Sequence, residues 1–245
     1  MALLKAENIS VSFDGNKILE NIDIELNAGE LVSILGLSGS GKTTLFNVIA
    51  GLIKPDEGRV LLDDEDITGR TGYVSYMLQK DLLLPYRTII DNVAMPLMIS
   101  GMKRKQAREK AKEYFSVFGL NGCEKLYPAQ LSGGMRQRAA LLRTYMMSGR
   151  AELLDEPFSA LDAITKSHLH EWYIGVMRRI KLSTLFITHD IDEAILLSDR
   201  IYVLGERPGR ILKEICIDPA DVRCEGLLLK DSFLSYKREI LSEIK

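Results

Sequence analysis

Alternating apolar and polar positions predict strands at the start of the chain. Residues 9–13 and 22–26 each place an apolar side chain at every second position, so each segment is expected to bury one face. Residues 14–16 (Asp-Gly-Asn), between them, are a turn signal. Residues 31–35 are apolar almost throughout and predict a buried parallel strand. Phe13 is either the last core residue of its strand, which the pattern favours, or an exposed ring on which a base stacks.

The apolar spacing becomes helical after residue 82. Between about residues 82 and 131, small and aromatic residues recur on one face and basic residues surround the other, which predicts a helical insertion with a solvated basic face. The tail from Phe233 to Ile244 has the same period and predicts an amphipathic helix packed on the body. The other predicted strands are 59–62, 73–77, 184–187, 200–204 and 210–215, and the other predicted helices are 45–50, 135–147 and 162–180.

Composition limits the class of protein. The 245 residues are 46% hydrophobic and 27% charged, as expected for a globular protein with a sizeable core. A formal net charge of −2 argues against a general nucleic-acid-binding surface. Three cysteines without metal-ligand spacing predict ordinary thiols in a reducing compartment. The chain has no signal-peptide pattern and no run of about 18 apolar residues, so we expect any membrane contact to go through a partner.

A glycine-rich segment follows the apolar strand at residues 31–35. It fits the Walker A spacing of Gly, four residues and Gly-Lys-Thr, and the alternative of a plain glycine turn is disfavoured by the strand before it and the helix after it. Such a loop turns consecutive N–H groups toward one anion, next to the positive end of a helix. Lys42 is placed to reach the β- and γ-phosphates, and Thr43 to hold Mg²⁺. The loop consists of Gly36, Leu37, Ser38, Gly39, Ser40, Gly41, Lys42, Thr43 and Thr44.

Polar side chains follow three other predicted strands. Gln79 follows one, Asp155 and Glu156 end a segment that begins at Ala151, and His189 follows a third. An open parallel sheet places ligand groups at the carboxyl ends of its strands. Asp155 is therefore a candidate Mg²⁺ ligand and Glu156 a candidate base, with a pair of solvated carboxylates as the alternative. For His189, a structural role and a ligand role remain equally open.

A serine and two glycines open the helix predicted before residue 147. Ser132 suits the N-cap, and Gly133 and Gly134 leave backbone N–H groups uncovered. The segment is either a second anion site or a plain cap after a flexible turn.

In this order, the motifs resemble those of an ABC transporter ATP-binding subunit over about residues 3 to 215. The most specific match is residues 131–138 (Leu-Ser-Gly-Gly-Met-Arg-Gln-Arg). The resemblance implies an α/β fold: a phosphate-loop NTPase core with a parallel sheet, an antiparallel β subdomain at the N-terminus and an inserted α-helical subdomain at about 82–131. It implies a nucleotide-binding domain at residues 1–216 and a C-terminal extension at 217–245. The other matching motifs are residues 36–44, Gln79, 153–157, 159–162 and His189.

The resemblance also implies an ATP hydrolase that uses ATP and Mg²⁺, and it gives each motif a role. Phe13 would stack on adenine, which reverses the preference for a core position. Residues 38–44 would hold the phosphates, and Lys42 would act on them. Glu156 would be the base or water-orienting group, and His189 would contact the γ-phosphate. The implied metal ligands, direct or through water, are Thr43, Gln79 and Asp155.

Partners follow from the same resemblance. Ser132, Gly133 and Gly134 would bind the γ-phosphate of ATP held by a second copy, with Asp162 at the seam. Since one chain carries one phosphate loop and one serine-glycine helix start, two sites need a head-to-tail pair. A membrane permease would dock after Gln79, where the apolar run 82–98 fits a groove or plain core equally. A solute-binding protein would act indirectly, and the subunit would lie on the cytoplasmic face of the membrane without nucleic-acid partners.

Finer features indicate a branch of this family. Residues 83–88, 155–162 and 206–211 resemble the nitrate, sulfonate and taurine importers, a branch that includes importers of thiamine-precursor-like pyrimidines. A soluble ABC ATPase without a transport role is the alternative, and a small-molecule kinase would lack the serine-glycine element. Tyr86 departs from the branch's tryptophan, and Glu152 stands in a strand position that is usually apolar. Glu152 is expected to face the sheet edge or to pair with Arg150, and His168 and His170 to lie at the surface.

Overall fold

A computed structural model of the protein describes residues 2–147, 149–159, 162–180, 182–218 and 231–244. The described strands are, in chain order, β1 (Ala2–Phe13), β2 (Asn16–Asn27), β3 (Leu31–Gly36), β4 (Glu57–Leu62), β5 (Glu65–Asp66), β6 (Ser75–Met77), β7 (Ala151–Asp155), β8 (Ser183–Thr188), β9 (Arg200–Leu204) and β10 (Ile211–Cys216). The described helices are α1 (Lys42–Ile49), α2 (Ile89–Val93), α3 (Met95–Ile99), α4 (Arg104–Lys112), α5 (Gly133–Tyr145), α6 (Ala163–Ile180), α7 (Ile191–Leu197) and α8 (Asp231–Glu243), with a 3-10 helix at Pro128–Gln130.

The larger sheet has the strand order β10-β9-β3-β8-β7-β6. β3 lies inside it, parallel to both β8 and β9, and every residue of β3 is buried. A strand covered on both faces needs a continuous apolar run, which explains the unbroken pattern of residues 31–35. β6, β7 and β8 are also parallel, so their carboxyl ends and that of β3 meet at one edge. The predicted parallel sheet is therefore confirmed.

The smaller sheet confirms the predicted antiparallel subdomain at the N-terminus. Its strand order is β2-β1-β4-β5, and each neighbouring pair is antiparallel. The apolar face of β1 and β2 shares one core with α1 and the larger sheet, in which Ile9, Val32 and Phe46 are buried. This packing places the β1–β2 hairpin beside the start of α1. β5 has two residues, which pair with Leu61 and Leu62 of β4.

Helices α2 to α5 cover the other face of the larger sheet. Ala107, Ala111, Phe115 and Phe118 are buried in the core that they share with Leu154 of β7, as the helical spacing predicted. The lysines of α4 are exposed. Two of its arginines donate to the buried Asp91 carboxylate, and these hydrogen bonds hold the pKa of Asp91 well below its usual range. The inserted helical subdomain is thus a packed layer with its own ionic link.

The C-terminal helix α8 packs against α7 and the β9–β10 end of the larger sheet. Phe233 and Ile240 are buried there, whereas Leu241 is 43% exposed. Lys213 of β10 pairs with Glu239 and Glu243 of α8. Among the residues that the structure describes, none of the helices combines the length and the apolar character needed to cross a membrane. Cys224 lies outside the described residues.

Candidate active site

The loop between β3 and α1 has the backbone of a phosphate cradle. Gly39 and Gly41 have φ angles of 83° and 102°, which favour glycine. A Cβ atom on Gly36 would lie 2.8 Å from the backbone oxygen of Leu204, and one on Gly41 would lie 2.8 Å from Cδ2 of Leu19. Glycine is therefore required at 36 by the close approach of backbone, and at 41 by the φ angle.

Contacts from the β9–β10 turn support this loop from outside. The guanidinium of Arg207 donates to the backbone oxygen of Gly39 at 2.8 Å. The N–H of Gly209 donates to the oxygen of Ile18 at 2.8 Å, which joins the same turn to the β1–β2 hairpin. The strands predicted at 200–204 and 210–215 left a short connection here, but the sequence gave no sign that Arg207 would hold the phosphate loop, because the two segments lie far apart in the chain.

Lys42 and Ser40 give the cradle its polar interior. The Lys42 ammonium donates to the backbone oxygens of Gly36 and Leu37, at 2.8 and 2.7 Å. Burial lowers the pKa of Lys42, and the nearby carboxylates of Glu156 and Asp155 oppose that shift. The Ser40 hydroxyl is buried without a hydrogen-bond partner among the described residues. A buried cation beside an unpartnered hydroxyl suits an anionic group, so the loop fits phosphate oxygens.

Asp155 lies directly beside the first turn of α1. The Thr43 hydroxyl donates to its Oδ2 atom at 3.0 Å, and the Tyr76 hydroxyl lies 3.5 Å from the same atom. Burial raises the pKa of Asp155, whereas the Thr43 hydrogen bond lowers it. No cluster of three or more His, Cys, Asp or Glu with metal-binding geometry occurs among the described residues. Hydroxyl and carboxylate oxygens are nevertheless the donors that Mg²⁺ takes when phosphates supply further ligands.

Glu156 brings together the ends of three strands. Its carboxylate oxygens lie 3.1 Å from Nε2 of Gln79 and 3.1 Å from Nδ1 of His189. Its N–H donates to the oxygen of Ile187 at 3.0 Å, and its φ angle is 45°, in the left-handed region. This uncommon backbone conformation follows the last residue of β7 and accompanies the carboxylate's position between Gln79 and His189. His189 is therefore in contact with the candidate base.

Phe13 and the Ser132 helix start lie apart from these groups. Phe13 is 45% exposed at the end of β1, so the core position favoured by the strand pattern is wrong. Ser132 is exposed, and its Oγ caps α5 by accepting the N–H of Met135 at 3.3 Å. Within the described residues, no hydrogen bond or ion pair joins Ser132, Gly133 or Gly134 to the phosphate loop. Asp162 is exposed at the start of α6 and accepts the N–H of Thr165.

The predicted environments of Glu152 and His170 are wrong, because both side chains are buried. Glu152 neither faces an open edge nor pairs with Arg150, which contacts Asp63 instead. Its side chain is inside the core, Oε1 has no described partner, and burial raises its pKa to about 8. His170 is buried as well, although His168 is exposed as predicted. The helical period alone did not reveal that α7 packs on that side of α6.

This architecture defines the class. A glycine cradle, a carboxylate pair and a histidine at the carboxyl edge of a parallel sheet are the parts of a phosphate-loop nucleotide hydrolase. Residues 19–159 match the family model described as ABC transporter. The chain therefore belongs to the ABC transporter family, and it is an ATP-binding member whose ATPase activity is coupled to transport.

Relatives of known name resemble the chain over most of its length. An uncharacterized ABC transporter ATP-binding protein of Methanocaldococcus jannaschii is 40% identical over 99% of this chain and 91% of its own. The formylaminopyrimidine import ATP-binding protein of Halalkalibacterium halodurans is 42% identical over 89% of this chain and 85% of its own. An aliphatic sulfonates import ATP-binding protein of Bacillus anthracis is 42% identical over 81% of this chain and 78% of its own.

Solved structures confirm the fold. An ATP-binding cassette in a dimeric post-hydrolysis state, bound to ADP and Pi, has a TM-score of 0.74 and 28% identity. The match covers 88% of this chain and 99% of the cassette. A cassette from Clostridium perfringens, part of an ABC transporter complex, has a TM-score of 0.81 over 99% of both chains. Its 24% identity supports the fold alone.

Proposed function

We propose that this chain is the ATP-hydrolysing subunit of an importer of a small solute, working through a separate membrane permease on the cytoplasmic face. The observation that carries this proposal is the contact of Glu156 with both Gln79 and His189, beside a phosphate loop. This contact joins Glu156, the candidate water-activating carboxylate, to Gln79, after which the chain enters the helical subdomain. The import proteins named among the relatives support the transport direction.

Each side chain has a role in hydrolysis under this proposal. Residues 36–44 cradle the phosphates through backbone N–H groups, and Lys42 exchanges its carbonyl partners for phosphate oxygens. Thr43 and Asp155, with Gln79 directly or through water, would hold Mg²⁺, and the ion would neutralise charge on the phosphates. Glu156 orients a water and accepts its proton. His189, held beside Glu156, reaches the γ-phosphate, and the exposed Phe13 stacks on the base.

A second copy of the chain completes each site. Ser132 is exposed at the start of α5, where a helix N-terminus favours an anion, and the described residues place no hydrogen bond between it and the phosphate loop of the same chain. A head-to-tail pair gives each phosphate loop the serine-glycine helix start of its partner, with Asp162 at the seam. Dimeric ABC cassettes among the solved structures support this arrangement.

Mixing two defective chains tests the composite site. Lys42→Ala removes the cradle cation, and Ser132→Arg blocks the helix start, so each variant alone should fail to dimerise with ATP. A mixed pair retains one site with both parts intact, because each chain contributes its undamaged half. We expect recovery of ATP-driven dimerisation in the mixture, measured by light scattering after chromatography. Mixtures that stay monomeric, while wild type dimerises under the same conditions, would contradict sites built from two chains.

The permease is proposed to dock on the apolar surface beside Gln79. The run 82–98 was expected to form either a groove or plain core, and it contains both kinds of position. Ile89 and Val93 are core, whereas Tyr86 is 73% exposed, and Ile99, just after the run, is 80% exposed. Single exposed apolar residues are common, but these two belong to the helical subdomain that follows Gln79 in the chain. The proposed groove therefore has exposed apolar side chains beside buried ones.

Charged substitutions in this groove test the docking surface. Tyr86→Glu with Ile99→Glu should lower recovery of the permease in co-purification at least tenfold, because two carboxylates would be buried at an apolar contact. ATP-dependent dimerisation of the isolated subunit should persist. Leu241→Glu, an exposed apolar position on α8, is the matched control and should leave recovery unchanged. Undiminished recovery with the double variant would remove this surface from the proposal.

The transported solute is inferred from relatedness. The import proteins among the relatives are named for formylaminopyrimidine and for aliphatic sulfonates, which agrees with the branch indicated by residues 83–88 and 206–211. We infer a small solute of one of these chemical classes, delivered to the permease by a solute-binding protein. Uptake driven by the assembled transporter, compared between an aliphatic sulfonate and a formylaminopyrimidine, distinguishes the two.

A further inference from the structure

A polar cluster around one buried carboxylate includes both chain neighbours of His189. It consists of Lys166 and His170 of α6, Thr188 at the end of β8, and Asp190 and Glu193 at the start of α7; we call it the Glu193 cluster. The Glu193 side chain is 3% exposed. Such a carboxylate is costly to bury unless its oxygens are paired.

Both oxygens of Glu193 are paired. Oε1 lies 2.9 Å from Nε2 of His170 and 3.3 Å from the ammonium of Lys166. Oε2 accepts the hydroxyl hydrogen of Thr188. One carboxylate therefore joins two positions of α6 to the last residue of β8.

The same contacts hold the backbone on both sides of His189. Thr188 Oγ1 accepts the N–H of Asp190 at 3.0 Å, directly across His189. Asp190 caps α7 by accepting the N–H groups of Asp192 and Glu193, and its other oxygen accepts Lys166 at 2.7 Å. The His189 ring is exposed between these fixed neighbours. The turn is therefore hydrogen-bonded to the cluster on both sides of His189, and the His189 ring contacts the candidate base.

The α6 side of the cluster connects to the proposed seam and to the β7 loop. Lys166 lies in the first turn of α6, which Asp162 caps through the N–H of Thr165. The ring of His170 meets Phe158 edge-on, at 4.8 Å between centroids, and Phe158 follows Glu156 by two residues. Movement at Asp162 and placement of His189 therefore share one set of buried contacts.

We propose that Glu193 is a positioning residue that fixes His189 for hydrolysis and ties its turn to the helix that begins at Asp162. This inference rests on the proposed role of His189. The hydrogen bonds of Glu193 set the geometry of the turn that carries His189. Loss of Glu193 therefore displaces His189 without removing the phosphate cradle. A misplacement of about 1 Å can cost about a hundredfold in rate.

Two substitutions, one on each side of the Glu193–Thr188 hydrogen bond, test the positioning role. Glu193→Ala and Thr188→Val each break the contact between α7 and β8, and each should lower kcat at least tenfold while the KM for ATP changes less than threefold. Thr188→Val keeps the side-chain shape, so it remains informative if Glu193→Ala does not fold. Glu193→Gln keeps the side-chain shape and an oxygen that accepts from Thr188, so its kcat should stay within threefold of wild type.

Two further variants separate the possible outcomes. Asp192→Asn is the control and should leave kcat unchanged. Asp192 precedes Glu193 in the chain, but its carboxylate pairs with Lys237 on the exposed side of α7. His189→Ala reports the underlying role. Wild-type turnover in His189→Ala would overturn that role, and this inference with it. If His189→Ala is inactive while folded Glu193→Ala or Thr188→Val keeps kcat within twofold of wild type, the positioning role alone is overturned.

Discussion

Replacing Glu156 with Gln is expected to lower ATP turnover by at least about a hundredfold, a size typical for loss of a general base. Gln has nearly the same shape and keeps hydrogen-bonding atoms toward Gln79 and His189, but it cannot accept a proton from water. The phosphate loop and Lys42 are untouched, so ATP binding should persist. Phosphate release measures the first effect, and nucleotide titration measures the second.

The same variant should accumulate as an ATP-dependent dimer. If hydrolysis releases the pair, a chain that binds ATP without hydrolysing it holds the pair together. Chromatography at saturating ATP with Mg²⁺ should show a dimer for Glu156→Gln and a smaller dimer fraction for wild type. Glu109→Gln, an exposed carboxylate on α4, is the control and should behave as wild type. Wild-type turnover in Glu156→Gln would exclude its role as base, and a persistent monomer would count against the seam.

Glu152→Gln is expected to stabilise the protein at neutral and alkaline pH. Burial raises the pKa of Glu152 to about 8, from an ordinary value of 4.5. Between these values the unfolded chain releases a proton that the folded chain keeps. The free energy of unfolding should therefore fall as pH rises from about 4.5 to about 8, by several kcal/mol in total. The fall ends above the folded pKa.

Gln removes this proton linkage while preserving shape. The two proteins should differ little near pH 5, and the variant should become more stable than wild type by several kcal/mol near pH 8. Urea unfolding across this range measures the difference. Glu109→Gln is again the matched control, because its carboxylate is exposed and its substitution should give no pH-dependent difference. Parallel pH profiles for wild type and Glu152→Gln would show that Glu152 is not buried as described.

The pH-dependent loss of stability at Glu152 arises close to the candidate active site. It lies in β7, three residues before Asp155, between Ser75 of β6 and Thr184 of β8. Burial also raises the pKa of Tyr145 in α5, to about 12, and of Tyr173 in α6, with the Glu152 charge contributing to both shifts. The Glu152 carboxyl thus lies where the larger sheet meets α5 and α6. Helix α5 begins at the serine-glycine segment, and α6 follows Asp162 at the proposed seam.

The catalytic parts could be predicted because their chemistry is local or depends on strand polarity. The spacing from Gly36 to Thr43 fixes a cradle within a few residues. Asp155, Glu156 and His189 each follow an apolar run, and parallel pairing brings such ends together. The roles given to the individual site residues stay predictions. Phe13 was misplaced by its pattern because the end of an alternating strand can lie either inside or outside the core.

Long-range packing decided what the sequence left open. Arg207 supports the phosphate loop and Glu193 supports the His189 turn, yet the sequence around each residue gives no sign of these contacts. His170 is buried because α7 packs against that side of α6, and the burial of Glu152 depends on helices contributed by distant segments.

By itself, the sequence determined the family, the phosphate cradle, the order of the strands along the chain and the chemical groups at their ends. These follow from short-range spacing, since a glycine turn, a helix cap or a strand's period is set by neighbours along the chain. The tertiary structure alone decided which ionisable groups are buried, which side chains hold the catalytic turns and which apolar residues remain exposed. Those properties depend on the environment that distant segments create, because the loss of water around a carboxylate or an imidazole is set by everything packed against it.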